Sequence, residues 1–450
     1  MTLISRRVVT PGGIRPAAVH VQAGRIRSIT PPEEAPSTAV DWGDAVLLPG
    51  LIDAHTHINE PGRANWEGFE TATLAAAAGG FTTLVDMPLN SSPVTVTAAA
   101  LEAKRDAAEG KLAVDVGLYG GLIPGSEDHL GELIHAGVFG IKAFLVDSGL
   151  SEFPPSGLRE LRRAMAVLGD AGLPLLAHAE WPRHRAMPAG FNNRAYENYL
   201  NSRPPEWELD AILLLIDLCR EFACPLHIVH LANAEALAVI QAAQLEGLPV
   251  TVETCPHYLY FSAETIPDGD PRYKCAPPIR KLRHRQGLWN GLRSGLIQWV
   301  ATDHSPCPPE MKQLQSGNLM TAWGGIPGLQ TALPAVWTRW KEQGGSVSDL
   351  ARWFSEAPAA FLGLSGRKGR IAEGLDADLV VFNPEACHKW TDDDLLYRHR
   401  LSPFTGESLY GQVQATYHRG SLVWQAGDRE PRQRMGQIIT RPKGKSQEGS

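Results

Sequence analysis

Two histidines one residue apart, His55 and His57, constrain this chain most strongly. A mostly apolar run of strand length, Leu47 to Ile52, leads into them. In an extended strand, residues i and i+2 project from the same face. Both imidazoles therefore leave the strand together, near its C-terminal end, as two nitrogen ligands of one metal ion would have to do. A bare His-x-His is equally compatible with two ordinary loop histidines, so the rest of the chain has to decide.

From Pro49 onward, short β-rich runs alternate with longer helical patterns. The strand candidates are 48–53, 81–87, 114–119, 140–145, 173–177, 226–231, 250–254 and 297–302. Helical patterns between them cover 66–78, 96–109, 157–171, 206–222, 234–246 and 282–294, and another runs from Pro327 toward Lys341. Eight strands, most followed by a helix, is the count of a (β/α)8 barrel. A doubly wound open sheet would want a Gly-rich phosphate loop after its first strand, where this chain has histidines.

The flanks read differently. The runs 18–22 and 25–29 face each other across Ala23-Gly24 as a hairpin, and 377–383, 413–418 and 421–424 are further strand candidates. We therefore expect an α/β protein with a barrel at 49–363. A small β-sandwich domain is built from both termini, 1–48 and 364–430. The polar, basic stretch 431–450 reads as a flexible tail.

The totals exclude several classes. A formal charge of −7 argues against a nucleic-acid partner, which calls for a basic face. No apolar run approaches the roughly 20 residues that span a bilayer, so no membrane partner is expected. Arg6 and Arg7 are followed by no apolar signal segment. The six scattered cysteines read as reduced thiols of a cytoplasmic protein.

A barrel gathers its chemistry at the C-terminal ends of its strands. There stand His55 and His57 (strand one), Lys142 (strand four), His178 (strand five), His230 (strand six) and Asp303 (strand eight). A lone histidine at a strand end is more often structural, and an Asp before His-Ser-Pro can simply cap a turn. Lys142 is harder to dismiss, because Ile, Ala, Phe and Leu around it would bury a charge. Desolvation favours the neutral amine, which can take up carbon dioxide as an anionic carbamate able to bridge two cations. Alternation along the strands puts His230 and Asp303 inward and leaves His227 and His304 to packing or support.

These residues, in this order, resemble the amidohydrolase superfamily, and within it the cyclic amidohydrolases with a carbamylated lysine. That group comprises dihydroorotases, hydantoinases and dihydropyrimidinases, and allantoinases. The resemblance spans nearly the whole chain. Asn59 stands where dihydroorotases carry an Arg, and Asp147 follows Lys142 where hydantoinases carry a Tyr. The runs 59–63, 66–69, 85–90, 140–149 and 301–306 look like the allantoinase branch, whereas Gly324-Gly-Ile-Pro-Gly-Leu-Gln330 lacks the serines of many members.

The resemblance implies two divalent metal ions per subunit, zinc by expectation. Their ligands would be His55, His57, carbamylated Lys142, His178, His230 and Asp303, with Asp303 the catalytic base. It also implies a small cyclic amide, allantoin, as substrate, contacts to it from Asn59, Cys275, Ala276 and Gly325, and a homotetramer. Hydantoinase or dihydroorotase activity is the near alternative. A mononuclear deaminase and a non-catalytic scaffold on the same barrel are more distant ones.

Overall fold

The computed structural model describes residues 1–183 and 191–442. Eight parallel strands form its centre: β1 (Leu51–Thr56), β2 (Phe81–Asp86), β3 (Asp115–Leu118, continued by Gly120–Gly121), β4 (Ile141–Phe144), β5 (Leu175–His178), β6 (Leu226–Ile228), β7 (Val250–Thr254) and β8 (Trp299–Val300). Each pairs in parallel with the next. The ring closes where Thr56, at the end of β1, bridges His304, just past β8. Strands buried on both faces read as continuous apolar runs, which is why these segments stood out in the sequence.

The helices follow from periodicity. In Leu158–Ala171 the buried residues are Leu161, Ala164, Met165 and Leu168, one face at helical spacing. Its start is fixed by Glu160, whose carboxylate accepts from the Gly157 N–H at 2.9 Å. Its end is fixed by Gly172 at φ +57°, a conformation glycine adopts without strain. The last long helix covers Ala332–Glu342 and begins later than Pro327 suggested. Residues 328–330 form a turn instead, with the Gly328 N–H on His304 Nδ1 and the Gln330 N–H on the Tyr397 hydroxyl.

Both ends of the chain join one eight-stranded sheet. Its order is Ser421–Gln425, Ser408–His418, Leu379–Lys389, Val46–Pro49, Thr2–Thr10, Gly13–Gln22 and Arg25–Thr30, with Val40–Asp41 added beside Thr2–Thr10. Alternation divides its side chains between two cores. Val46, Leu48, Val380 and Phe382 pack into the barrel's outer layer. Leu47, Leu379 and Val381 meet Leu3, Val19 and Ile26 in a second core. A period of two thus fastens the terminal β-sandwich to the barrel with the strands that build it.

The polar stretch from 431 is not free as expected. Gly436 donates to Leu112 O, Val116 to Gln437 O, Ile439 to Val116 O and Arg441 to Gly137 O, so the segment lies along β3 as an added strand-like edge. Ile439 is buried. Composition missed this because backbone groups make the attachment, and these do not depend on side-chain polarity. Residues 443–450 lie outside the described residues.

Candidate metal centre

The strand ends bring the candidate ligands to one place. His55 Nε2 and His57 Nε2 each lie 3.2 Å from the same Asp303 carboxylate oxygen. The His55 and His230 rings are 5.3 Å apart, and the His230 and His178 rings 4.6 Å. Ligand atoms of His55, His230 and Asp303 all fall within 4.8 Å of one another, close enough to share an ion. Lys142 is fully buried, its ammonium 5.2 Å from the Phe144 ring, which stacks on His178.

Alternation was only part of the reason for this convergence. β6 ends at Ile228 and β8 at Val300, so His230 and Asp303 lie beyond the regular strands. Both adopt left-handed backbone, at φ +39° and +45°. Such φ values are uncommon for residues other than glycine and are held at functional sites by surrounding structure. His230 meets Glu253 only through its backbone N–H, at 3.4 Å, while its ring lies against His55 and His178. His227 Nε2 lies 3.2 Å from Glu253, and its ring stacks on Trp299.

Burial sets the electrostatics. It lowers the Lys142 pKa to about 8. It also lowers His55 to about 4, helped by the Lys142 charge. Asp303 goes the other way: burial opposes its charge, but His55 and His57 outweigh burial and hold it down at about 2. The centre therefore offers a neutral His55 and an ionised carboxylate, and burial likewise pushes His178 and His230 down. His55 Nε2, His57 Nδ1, His230 Nδ1 and Lys142 Nζ are buried without hydrogen-bond partners. Buried polar atoms are normally satisfied, so these orphans, with the His55, His230 and Asp303 ligand atoms within reach of one ion, fit a site for divalent cations with nitrogen and oxygen ligands.

Three carboxylates missed in the sequence support these side chains. Glu253, in β7, accepts from His55 Nδ1 at 2.5 Å and from Trp299 Nε1 at 2.9 Å. Glu180 lies 2.7 Å from His178 Nε2 and is itself clasped by Arg203. Asp53 accepts the backbone N–H groups of His55 and Thr302. One signal was available for Glu253: a carboxylate inside the strand Val-Thr-Val-Glu-Thr has to be paired.

The model of a known family, described as the amidohydrolase family, matches residues 46–423. The chain belongs to the amidohydrolase family. This amidohydrolase is 45% identical to an allantoinase from Streptomyces avermitilis, over 97% of this chain and 98% of that protein. It is 42% identical to an allantoinase from Arabidopsis thaliana (94% and 88%) and 44% identical to one from Saccharomyces cerevisiae (87% and 86%). Among solved structures it resembles an L-hydantoinase (dihydropyrimidinase) from Arthrobacter aurescens. The TM-score there is 0.89 at 29% identity, covering 98% of this chain and 99% of that one.

The amidohydrolase centre opens into a cavity of about 850 Å³, a size suited to a small ligand. Its wall includes His57, Asn90, His178, Arg203, His230, Lys274, Ala276, Asp303 and Gly324. Of the four expected substrate contacts, Ala276 lines the cavity; Asn59, Cys275 and Gly325 stand behind it. Asn59 is turned to Pro306 O. The Cys275 thiol bonds Pro277 O, and its carbonyl takes the Tyr199 hydroxyl at 2.7 Å. Gly325 is pressed against Ser305, where a Cβ would sit 2.2 Å from the carbonyl oxygen. Local sequence marks a loop as lining a site without saying which of its atoms face inward. No helix among the described residues is long and apolar enough to cross a membrane.

Proposed function

We propose that this amidohydrolase is an allantoinase, hydrolysing the cyclic amide of (S)-allantoin to allantoate in purine and ureide breakdown. One observation carries the reading: the chain matches allantoinases of a bacterium, a plant and a yeast over nearly its whole length. Support also comes from four of the candidate ligands, His57, His178, His230 and Asp303, lining one cavity, and from His55 lying within reach of an ion shared with His230 and Asp303.

In this reading His55, His57, His178, His230, Asp303 and a carbamate on Lys142 hold two divalent ions, zinc being the expected metal. Such ions supply Lewis acidity toward a carbonyl and make water a nucleophile near neutral pH. The carbamate forms when the buried, unpartnered Lys142 amine attacks carbon dioxide and loses a proton. Asp303 is placed to accept a proton from water and to deliver it to the ring nitrogen as the C–N bond breaks. Transfer of this kind is typically worth about 10²–10⁴-fold. The Asp303 carboxylate, its pKa held down at about 2 beside His55 and His57, is ionised near neutral pH and open to that proton. The reading includes a homotetramer and a cytoplasmic location, to which the six free cysteines are suited.

The test is a hydrolysis assay on racemic allantoin, hydantoin and dihydroorotate side by side, with metal content measured on the same sample. Preference for allantoin at two ions per chain is the expected result. Preference for hydantoin, which the likeness to the Arthrobacter hydantoinase makes the second reading, would replace it.

A further inference from the structure

Lys312 is 2% exposed and ends the four-residue helix Pro309–Lys312, which follows β8. Its ammonium reaches four backbone carbonyls: Pro271 at 3.3 Å, Lys274 at 3.2 Å, Trp323 at 3.1 Å and Gly325 at 2.5 Å. Among the described residues it makes no ion pair. Three N–H donors serve four acceptors, so one donor is shared. With three donors and four acceptors, the loss of any two of these carbonyls would leave a buried N–H without an acceptor.

Those carbonyls come from two segments, 271–274 after β7 and 323–325 after β8. The Gly325 N–H adds a second bond to Lys274 O at 2.9 Å, and the Trp323 N–H bonds Met311 O at 2.8 Å. A second lysine works from the other side. Lys274 Nζ donates to Met320 O at 3.0 Å and to Ala322 O at 2.5 Å, and lies over the Tyr199 ring. Ala276 and Gly324, at the inner edges of the two segments, line the cavity. With at most a methyl group for a side chain, they present a wall made largely of backbone. Whatever fixes the backbone therefore fixes the wall.

We propose that Lys312 is a positioning residue for substrate: its ammonium locks segments 271–276 and 323–325 into one rigid wall against which the cyclic ureide ring binds. The proposal rests on the allantoinase reading for the ligand, though not for the lock. Lys312 touches none of the candidate metal ligands through the contacts above, so its removal acts on ring binding and leaves metal loading alone.

The test is Lys312→Met, which keeps the stem and removes the donors. KM for allantoin should rise about tenfold or more, with kcat within about threefold and the parent's metal content. Amide exchange of 274–276 and 323–326 should accelerate. An unchanged KM or unchanged exchange overturns the proposal. If the variant does not fold, the parent decides: its Trp323 and Gly325 amides must exchange far more slowly than those of the exposed Leu314–Ser316, and equal rates overturn the lock. If the parent leaves allantoin intact, the substrate reading fails, while the exchange result still decides the role of Lys312.

Discussion

Glu253 Oε1 and His55 Nδ1 meet at 2.5 Å inside the barrel, 198 residues apart in sequence. The bond fixes which nitrogen of His55 remains for the centre and keeps the ring from turning. A carboxylate behind a ligating histidine also raises its basicity. Glu253→Gln keeps the shape and weakens the acceptor. We expect a metal affinity about 10–100-fold lower, with unchanged secondary structure. Titration of the apo protein with zinc, read by calorimetry, checks this; parental affinity in the variant would refute it.

Lys142→Ala removes the amine that would carry the carbamate. Metal content should fall below two ions per chain, and hydrolysis of allantoin should be lost. Restoring activity with a short carboxylic acid and added metal would support a carboxylate-like bridge at that position. Full metal occupancy and activity in the plain variant would dispose of the assigned role.

Chelation is expected to lower the melting temperature. The orphaned nitrogens of His55, His57, His230 and Lys142 are stabilised only when a ligand satisfies them. Melting curves with and without chelator, followed by zinc back-titration, measure the effect. Coincident curves for protein of known metal content would contradict it.

A second charged cluster ties the sandwich to the barrel and predicts a pH window. His418 lies 3.1 Å from both Asp115 and Asp378, and Lys368 lies 3.0 Å from Asp115 and 2.6 Å from Asp378. Burial disfavours the His418 charge, but the two carboxylates outweigh it and raise its pKa above 6.5. Burial likewise opposes the charges of Asp115 and Asp378, yet His418 and Lys368 hold both far below 3.8. For His418 the folded pKa exceeds the unfolded one, so its contribution is complete below about 6.5 and is lost as pH rises through the folded value. For the two aspartates the contribution is present above about 3.8 and is lost as pH falls through the depressed folded values. Stability should therefore be greatest between those limits. Urea unfolding across pH tests this. His418→Gln should flatten the alkaline side and also weaken the acid side, because Asp115 and Asp378 lose one of the groups that hold them down; an unchanged alkaline slope would count against the pairing.

Much of the barrel was legible because its strands are short apolar runs and its helices carry one apolar face. Both are local patterns. The six candidate ligands could be located at strand ends by the same logic, since a barrel turns those ends to one mouth. The supporting groups had no such signature. Glu253 showed only as a carboxylate inside a strand, its partner His55 lying 198 residues away, and Lys312 became legible only through backbone carbonyls, which every residue possesses. His230 and Asp303 fell where alternation pointed, although a left-handed turn at each, rather than strand parity, delivered them.

The sequence by itself determined an alternating α/β chain with metal-type ligands at the ends of its strands and β segments at both termini. Periodicity and residue chemistry are local properties, and one chain is enough to read them. The tertiary structure alone decided which nitrogen of each histidine is left unpartnered, which loop atoms face the cavity, and that the segment after 431 lies along β3. Those outcomes depend on hydrogen bonds between distant residues. Their direction is set only when the whole barrel closes.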